Sequence, residues 1–170
     1  MSLHQPSSIK GLSWKNVRGK LTSMAALDKL TWFGVGGPSE WLFEPADTQD
    51  LVFLLQNCPN EIPIHVLGAG SNTLVRDGGI KGITIKLNGL FTQITFESPN
   101  KIIAGAGASD AEVARFAASK EIAGLEFLIG IPGTIGGGLR MNAGAHGGEF
   151  KDVLERAFAI DRNGIQHVVG

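Results

Sequence analysis

Gly124-Leu125-Glu126-Phe127-Leu128-Ile129-Gly130-Ile131-Pro132-Gly133-Thr134-Ile135-Gly136-Gly137-Gly138-Leu139-Arg140-Met141-Asn142-Ala143-Gly144-Ala145 sets seven glycines among bulky aliphatic residues, more than a structural loop needs. Small residues beside Ile131, Pro132 and Ile135 suit a flat aromatic ligand lying against backbone, with N–H groups free to meet oxygens or ring nitrogens. Glycines also gather at Gly34 to Gly37, Gly68 to Gly82 and Gly105 to Gly107. The total of 24 is about twice average usage. No fixed period links the clusters, which argues against solenoids and collagen.

The segments between the clusters are ordinary strands and helices. The stretch through Leu27 has weak periodicity and reads as an irregular or short helical lead-in. Trp41-Leu42-Phe43-Glu44 reads as a strand ended by Pro45. Asp47 and Thr48 cap an apolar stripe of Leu51, Val52, Leu54 and Leu55. Pro63 to Leu67 is a buried-type strand running into glycines, and Ile83 to Leu87 is another, so the Gly68 loop joins strand to strand. Ile94 to Phe96 and Lys101 to Ala104 form a pair turned by Ser98-Pro99-Asn100. Ser109 and Glu112 predict a capping box opening a helix that Gly124 stops. Ala157 to Ile160 and Ile165 to Val169 flank Asn163-Gly164, a hairpin signal. Because that second strand has barely ended at Gly170, the chain reads as part of something longer, with a short terminal edge strand as the alternative.

Two glycine loops compete for a dinucleotide. Leu67-Gly68-Ala69-Gly70-Ser71-Asn72 offers successive unhindered N–H groups, a nest able to hold a pyrophosphate, although a tight turn is the ordinary reading. Gly105-Ala106-Gly107-Ala108-Ser109-Asp110 follows a strand and opens a helix with Glu126 beyond it, as in a Rossmann unit. Asp110 stands where that motif needs its third glycine, and its charge repels phosphate. A Walker A lysine is absent, which disfavours a triphosphate site. Net charge is −1 with scattered cations, so nucleic acid is not an expected partner. A single cysteine, Cys58, a polar start at Met1–Gln5 and no long apolar run place the protein in the cytoplasm, away from membrane.

Together with Thr31-Trp32-Phe33, Val35-Gly36-Gly37-Pro38 and the Gly68 to Gly79 loop, the Gly124 to Ala145 stretch resembles the UDP-N-acetylenolpyruvoylglucosamine reductase family, its N-terminal FAD-binding part only. The likeness runs from Leu21 to Gly170. It implies an α+β, two-lobed FAD-binding domain of the vanillyl-alcohol oxidase / p-cresol methylhydroxylase type. The implied division is a lead-in over 1–21, a first subdomain over 22–88, a second over 89–170 cut short at its end, and a substrate domain that is absent. The implied cofactor contacts are Leu67, Gly68, Ala69, Gly70, Ser71 and Asn72 at the pyrophosphate. The flavin and ribityl parts are implied to run along Gly105, Ala106, Gly107, Ala108, Gly130, Ile131, Pro132, Gly133, Gly136, Gly137, Asn142, Ala143 and Gly144.

The family draws electrons from NADPH through FAD to UDP-N-acetylglucosamine enolpyruvate, in peptidoglycan synthesis. Its catalytic arginine, serine and glutamate are expected beyond residue 170, so this chain alone is expected to be inactive. Ser71 stands where related oxidases carry an attaching histidine, so the FAD is expected to be noncovalent. Gly34 replaces the family's usual arginine. Arg140 reads as a packing or salt-bridge residue. His4, His65, His146 and His167 lack metal-ligand spacing, so no metal is expected. Gly70 and Gly133 are expected to bring backbone close to the cofactor, so that valine there loses flavin before fold. The alternatives are a nicotinamide-dinucleotide domain of another oxidoreductase and a nonenzymatic nucleotide-binding module.

Overall fold

The computed structural model describes residues 14–170, so the readings of Met1–Gln5 and His4 fall outside it. Four strands form one sheet in the order β1 (Lys20–Ala25), β2 (Ser39–Glu44), β4 (Ile80–Lys86), β3 (Ile64–Leu67). β1 runs antiparallel to β2, with Lys20 opposite Glu44 and Ala25 opposite Ser39, whereas β4 is parallel to both β2 and β3. The expected irregular lead-in therefore contains a strand. β1 is a sheet edge whose only fully buried residue is Ala25, so the alternation that marks a half-buried strand never develops. It begins inside the 1–21 segment.

Helix α1 (Thr48–Asn57) starts where its cap predicts, with the Asp47 carboxylate accepting the Asp50 N–H at 2.9 Å. Its Leu51, Leu54 and Leu55 close over Trp41, Phe43, Ile83 and Ile85 of β2 and β4. Each such burial contributes about 1.5–3 kcal/mol. The buried Asp50 carboxylate accepts backbone N–H groups from Arg18 (2.9 Å), Gly19 (2.7 Å) and Ala46 (3.0 Å), which ties the approach to β1 onto this helix. β3 corrects another expectation. It is an edge strand in place of a buried one, and Val66 is 71% exposed at that edge although its register partner Ile85 is buried in the core beneath α1. The link from β3 to β4 is a loop without a helix, as expected.

The second half is built from hairpins and short helices. β5 (Ile94–Ser98) and β6 (Lys101–Ala104) pair antiparallel. Helix α2 (Asp110–Ser119) begins at Ser109, but the expected capping box does not form, because the Ser109 side chain makes no cap bond. Nor does Gly124 end the helix. It closes five residues earlier in a Schellman turn, where Glu121 takes φ +57° and the Ile122 N–H donates to Ala117 O at 3.0 Å.

After a 3-10 turn at Glu126–Gly130 comes α3 (Ile135–Met141), which no periodicity marks, since its three consecutive glycines have poor helix propensity. Packing decides instead. The Phe150 ring lies where a Gly138 side chain would be. Phe150 also meets Phe127 edge-on at 6.1 Å. β7 (Gly144–Ala145), β8 (Gly148–Glu149) and α4 (Phe150–Val153) complete this core with Ala108, Val113 and Leu128. The final hairpin, β9 (Ala157–Ile160) and β10 (Gln166–Val169), turns through Gly164 at φ +76° as expected.

Candidate functional site

The first glycine loop is held by the segment before it. The Trp32 N–H donates to Gly70 O at 3.1 Å, and Gly70 at φ +70° leaves no room for a Cβ, which would overlap the Leu30 carbonyl oxygen. What remains is a row of donors. Among the described residues, the N–H groups of Ala69, Gly70, Ser71 and Asn72 donate to no protein acceptor. Consecutive free amides make an anion-binding concavity. The buried Thr31 hydroxyl beside Gly70 also lacks a partner. Lys86 Nζ donates to Gly68 O at 2.9 Å, and burial lowers its pKa, with Glu44 opposing that shift.

The second set of loops uses most of its donors internally. Gly105 and Gly107 donate to Gln93 O (2.8 Å) and Phe91 O (2.9 Å), and Gly136 and Ile135 donate to Ala106 O (2.8 Å) and Ala108 O (2.9 Å). Gly133 N–H goes to Ile131 O. Asn142, the left-handed cap of α3, donates to Glu149 and accepts from the Lys151 N–H, while Gly144 pairs with Glu149 in β7. The structure thus brings Gly68, Gly105 to Ala108 and Gly133 to Gly137 together. A Cβ on Gly68 would stand 2.8 Å from Thr134 Oγ1, and one on Gly136 would stand 3.0 Å from Ala106. Gly130 lies against His146, and Asn142 to Gly144 sit with Glu149 and Lys151.

Behind the second set lies the carboxylate that stands in the third-glycine place of the Gly105 motif, and its burial is what the motif did not announce. Asp110 is fully buried, neither carboxylate oxygen has a partner among the described residues, and burial pushes its pKa up to about 6. A Cβ at Gly133 would stand 2.6 Å from Asp110 Oδ2. Gly133 is therefore small on its Cβ side to accommodate Asp110, which leaves its backbone free for the close approach to a cofactor expected of it. Helical periodicity could have found this buried acid, since Asp110 shares its face with Val113, Ala114 and Ala117. The Rossmann alternative also fails here, because β6 belongs to an antiparallel hairpin, not a parallel βαβ unit.

Arg140 is exposed and forms no ion pair among the described residues, contrary to expectation. Gly34 takes φ +63° with nothing within 4 Å of its side-chain position. His65 and His146 are exposed, and His167 lies 3.0 Å from Asp161. Among the described residues, no cluster of His, Cys, Asp and Glu could hold a metal, and no helix is long and apolar enough to cross a membrane.

An anion nest on a parallel strand pair, facing glycine loops from a second α+β unit, defines a dinucleotide-binding domain, and the chain belongs to the FAD binding domain family, which matches residues 39–170. More narrowly, it is similar to UDP-N-acetylenolpyruvoylglucosamine reductases. It is 54% identical over 153 residues to that of Azorhizobium caulinodans, covering 90% of this chain and 49% of the relative. It is 49% identical over 160 residues to that of Orientia tsutsugamushi strain Ikeda, covering 92% and 53%. The crystal structure of the Thermus caldophilus UDP-N-acetylenolpyruvylglucosamine reductase superposes with a TM-score of 0.73 at 34% identity, over 89% of this chain and 52% of that one. The chain spans about half the length of the curated relatives it matches.

Proposed function

We propose that this chain is the flavin-carrying part of a cytoplasmic, NADPH-dependent reductase acting on UDP-N-acetylglucosamine enolpyruvate in peptidoglycan synthesis. The observation that carries the reading is the row of four unpaired amides at Ala69 to Asn72, in a chain of the FAD binding domain family. Those amides and Gly68 would hold the pyrophosphate of a noncovalent FAD between a lobe of residues 22–88 and one of 89–170. Gly105 to Ala108, Gly130 to Gly137 and, at the far end, Asn142 to Gly144 would line the flavin and ribityl parts. Bound FAD supplies a two-electron carrier between NADPH and substrate. The chain's own residues bind it and exclude water: backbone N–H groups neutralise the phosphates, and Lys86 adds a cation beside Gly68.

Reduction of an enolpyruvyl double bond also needs a proton donor and groups that polarise the carboxylate. We place these outside the 170 residues. The carboxylate of Asp110 is sealed behind Gly133, and the second region offers no preorganised donor–cation set. Two measurements test the proposal. The purified chain is expected to bind FAD and release all of it on denaturation and filtration; yellow colour retained on the polypeptide would refute the noncovalent site. The FAD-loaded chain, given NADPH and the enolpyruvyl substrate, is expected to form no UDP-N-acetylmuramate above background, and ready product formation would place the catalytic groups within this chain.

A further inference from the structure

Helix α1 ends without a basic residue in its last turn and its cap residue Cys58 is extended; Asn57 Nδ2 donates back to Phe53 O at 2.8 Å, but no cation of the helix itself meets the carbonyls beyond it. The partner comes from the far end of the chain. Arg162, in the turn between β9 and β10, donates from Nη1 to Leu55 O at 3.2 Å. From Nη2 it reaches Cys58 O (3.2 Å), Pro59 O (2.8 Å) and Ile62 O (3.4 Å). A planar, permanently charged fork suits several acceptors at the negative end of a helix in a way an ammonium does not. Gly164 of the same turn is buried on α1, where a Cβ would stand 2.7 Å from Gln56 Cγ, and Ile160 packs against the core of the first sheet. At its other end the hairpin is fixed to β5 and β6 by Lys101–Glu155 (2.6 Å) and Arg156–Glu97 (3.4 Å).

The hairpin is therefore a strap with one end on the hairpin unit that leads into the Gly105 loop and the other on the helix that precedes the Gly68 loop. The geometry points to Arg162 as a positioning residue for the cofactor: its clasp on the end of α1 fixes the spacing between the two sets of glycine loops, so clasp closure and FAD binding are energetically coupled. This rests on the FAD reading above. A ligand spanning both sets of loops favours the spacing the clasp enforces, and by reciprocity favours the closed clasp.

Cys58 reports the clasp directly. It is the chain's one cysteine, it is 6% exposed, and it borders an open cavity of about 340 Å³ that Arg162 and Asn163 also line. The experiment measures the rate of Cys58 modification by an aromatic disulfide reagent, with and without saturating FAD, in the wild type, Arg162→Ala and Arg162→Lys. FAD dissociation constants and far-UV circular dichroism are measured alongside. FAD is expected to slow wild-type labelling by about tenfold. Arg162→Ala is expected to label about tenfold faster and to bind FAD about tenfold more weakly with unchanged secondary structure, with Arg162→Lys in between. Labelling should be insensitive to urea below the unfolding transition, which marks a local opening. FAD binding that leaves wild-type labelling unchanged, or labelling that simply tracks global unfolding, overturns the clasp while the cofactor reading stands. A wild-type chain that binds no FAD overturns the cofactor reading first, and the coupling with it. If Arg162→Ala fails to fold, the wild-type comparison and Arg162→Lys still decide.

Discussion

The two sets of glycine loops look alike in sequence and are opposite in polarity. Around Gly70 the fold leaves donors over: four amides and the Thr31 hydroxyl have no partner among the described residues. Around Gly133 most amides are used by neighbouring carbonyls, and what is left over is an acceptor, the buried Asp110 carboxylate. The first region is therefore the better suited to an anion and the second the less, the polarity that the proposed pyrophosphate placement requires. The lesson is that glycine density measures how closely backbones approach, whereas ligand preference depends on which amides remain unpaired. Every candidate site glycine, from Gly68 to Gly144, directs its missing side chain at the protein itself.

The strongest way to break this contrast is Gly70→Val. A side chain there overlaps Leu30 O, stands 2.9 Å from Thr31 Cα and is forced to φ +70°. We expect about 3 kcal/mol or more of destabilisation, with fold and FAD affinity lost together. Thermal unfolding by circular dichroism checks it; a variant that keeps its melting temperature and loses only FAD would instead bear out the expectation that valine at Gly70 loses flavin before fold.

Gly133→Ala should cost less, about 1–3 kcal/mol, because it meets a side chain at 2.6 Å instead of a fixed backbone. Adding Asp110→Ala should recover much of that loss. Additive losses in the double variant would mean that Asp110 is not what keeps position 133 small.

The smallest expected effect is that of Asp110→Asn, and its sign depends on pH. Burial raises the Asp110 pKa from 3.8 to about 6, so below 3.8 the acid is neutral in both folded and unfolded chains and costs nothing. As pH rises from 3.8 to about 6, the unfolded chain loses its proton first, so stability falls, and above 6 the full penalty applies. That penalty is at most about 3 kcal/mol. Asparagine adds a pH-independent packing offset, but the stability difference from wild type should shift in the variant's favour by about 1–3 kcal/mol between pH 4 and pH 8. Urea unfolding at both pH values measures it, and a difference that does not change with pH would show that Asp110 is ionised at no cost.

Where a single local force sets the structure, the sequence was readable. The Asp47 cap, the β3–β4 loop and the Asn163-Gly164 turn all stand where short-range chemistry puts them. The failures share a different cause, because in each a distant partner overrides local preference. β1 is a strand because β2 offers it an edge, α3 is a helix because Phe150 needs Gly138, and α2 ends at Ser119, turning through Glu121 with Gly124 still to come. For the candidate site, the glycine loops could be singled out from glycine spacing and family resemblance. Donor pairing was not, because the acceptors for Gly105, Gly107 and Gly136 lie on segments that only the fold brings near.

Arg162 lies 107 residues beyond Leu55 and 100 beyond Ile62 in the chain. A ribosome adding about 5–20 residues per second therefore completes α1 and delivers its cap only roughly 5–20 s later. Throughout that interval the carbonyls of Leu55, Cys58, Pro59 and Ile62 lack the guanidinium that later meets them. If the clasp shields the thiol, a chain interrupted before Arg162 is expected to label faster at Cys58 than the 170-residue chain, and comparing the two labelling rates checks it.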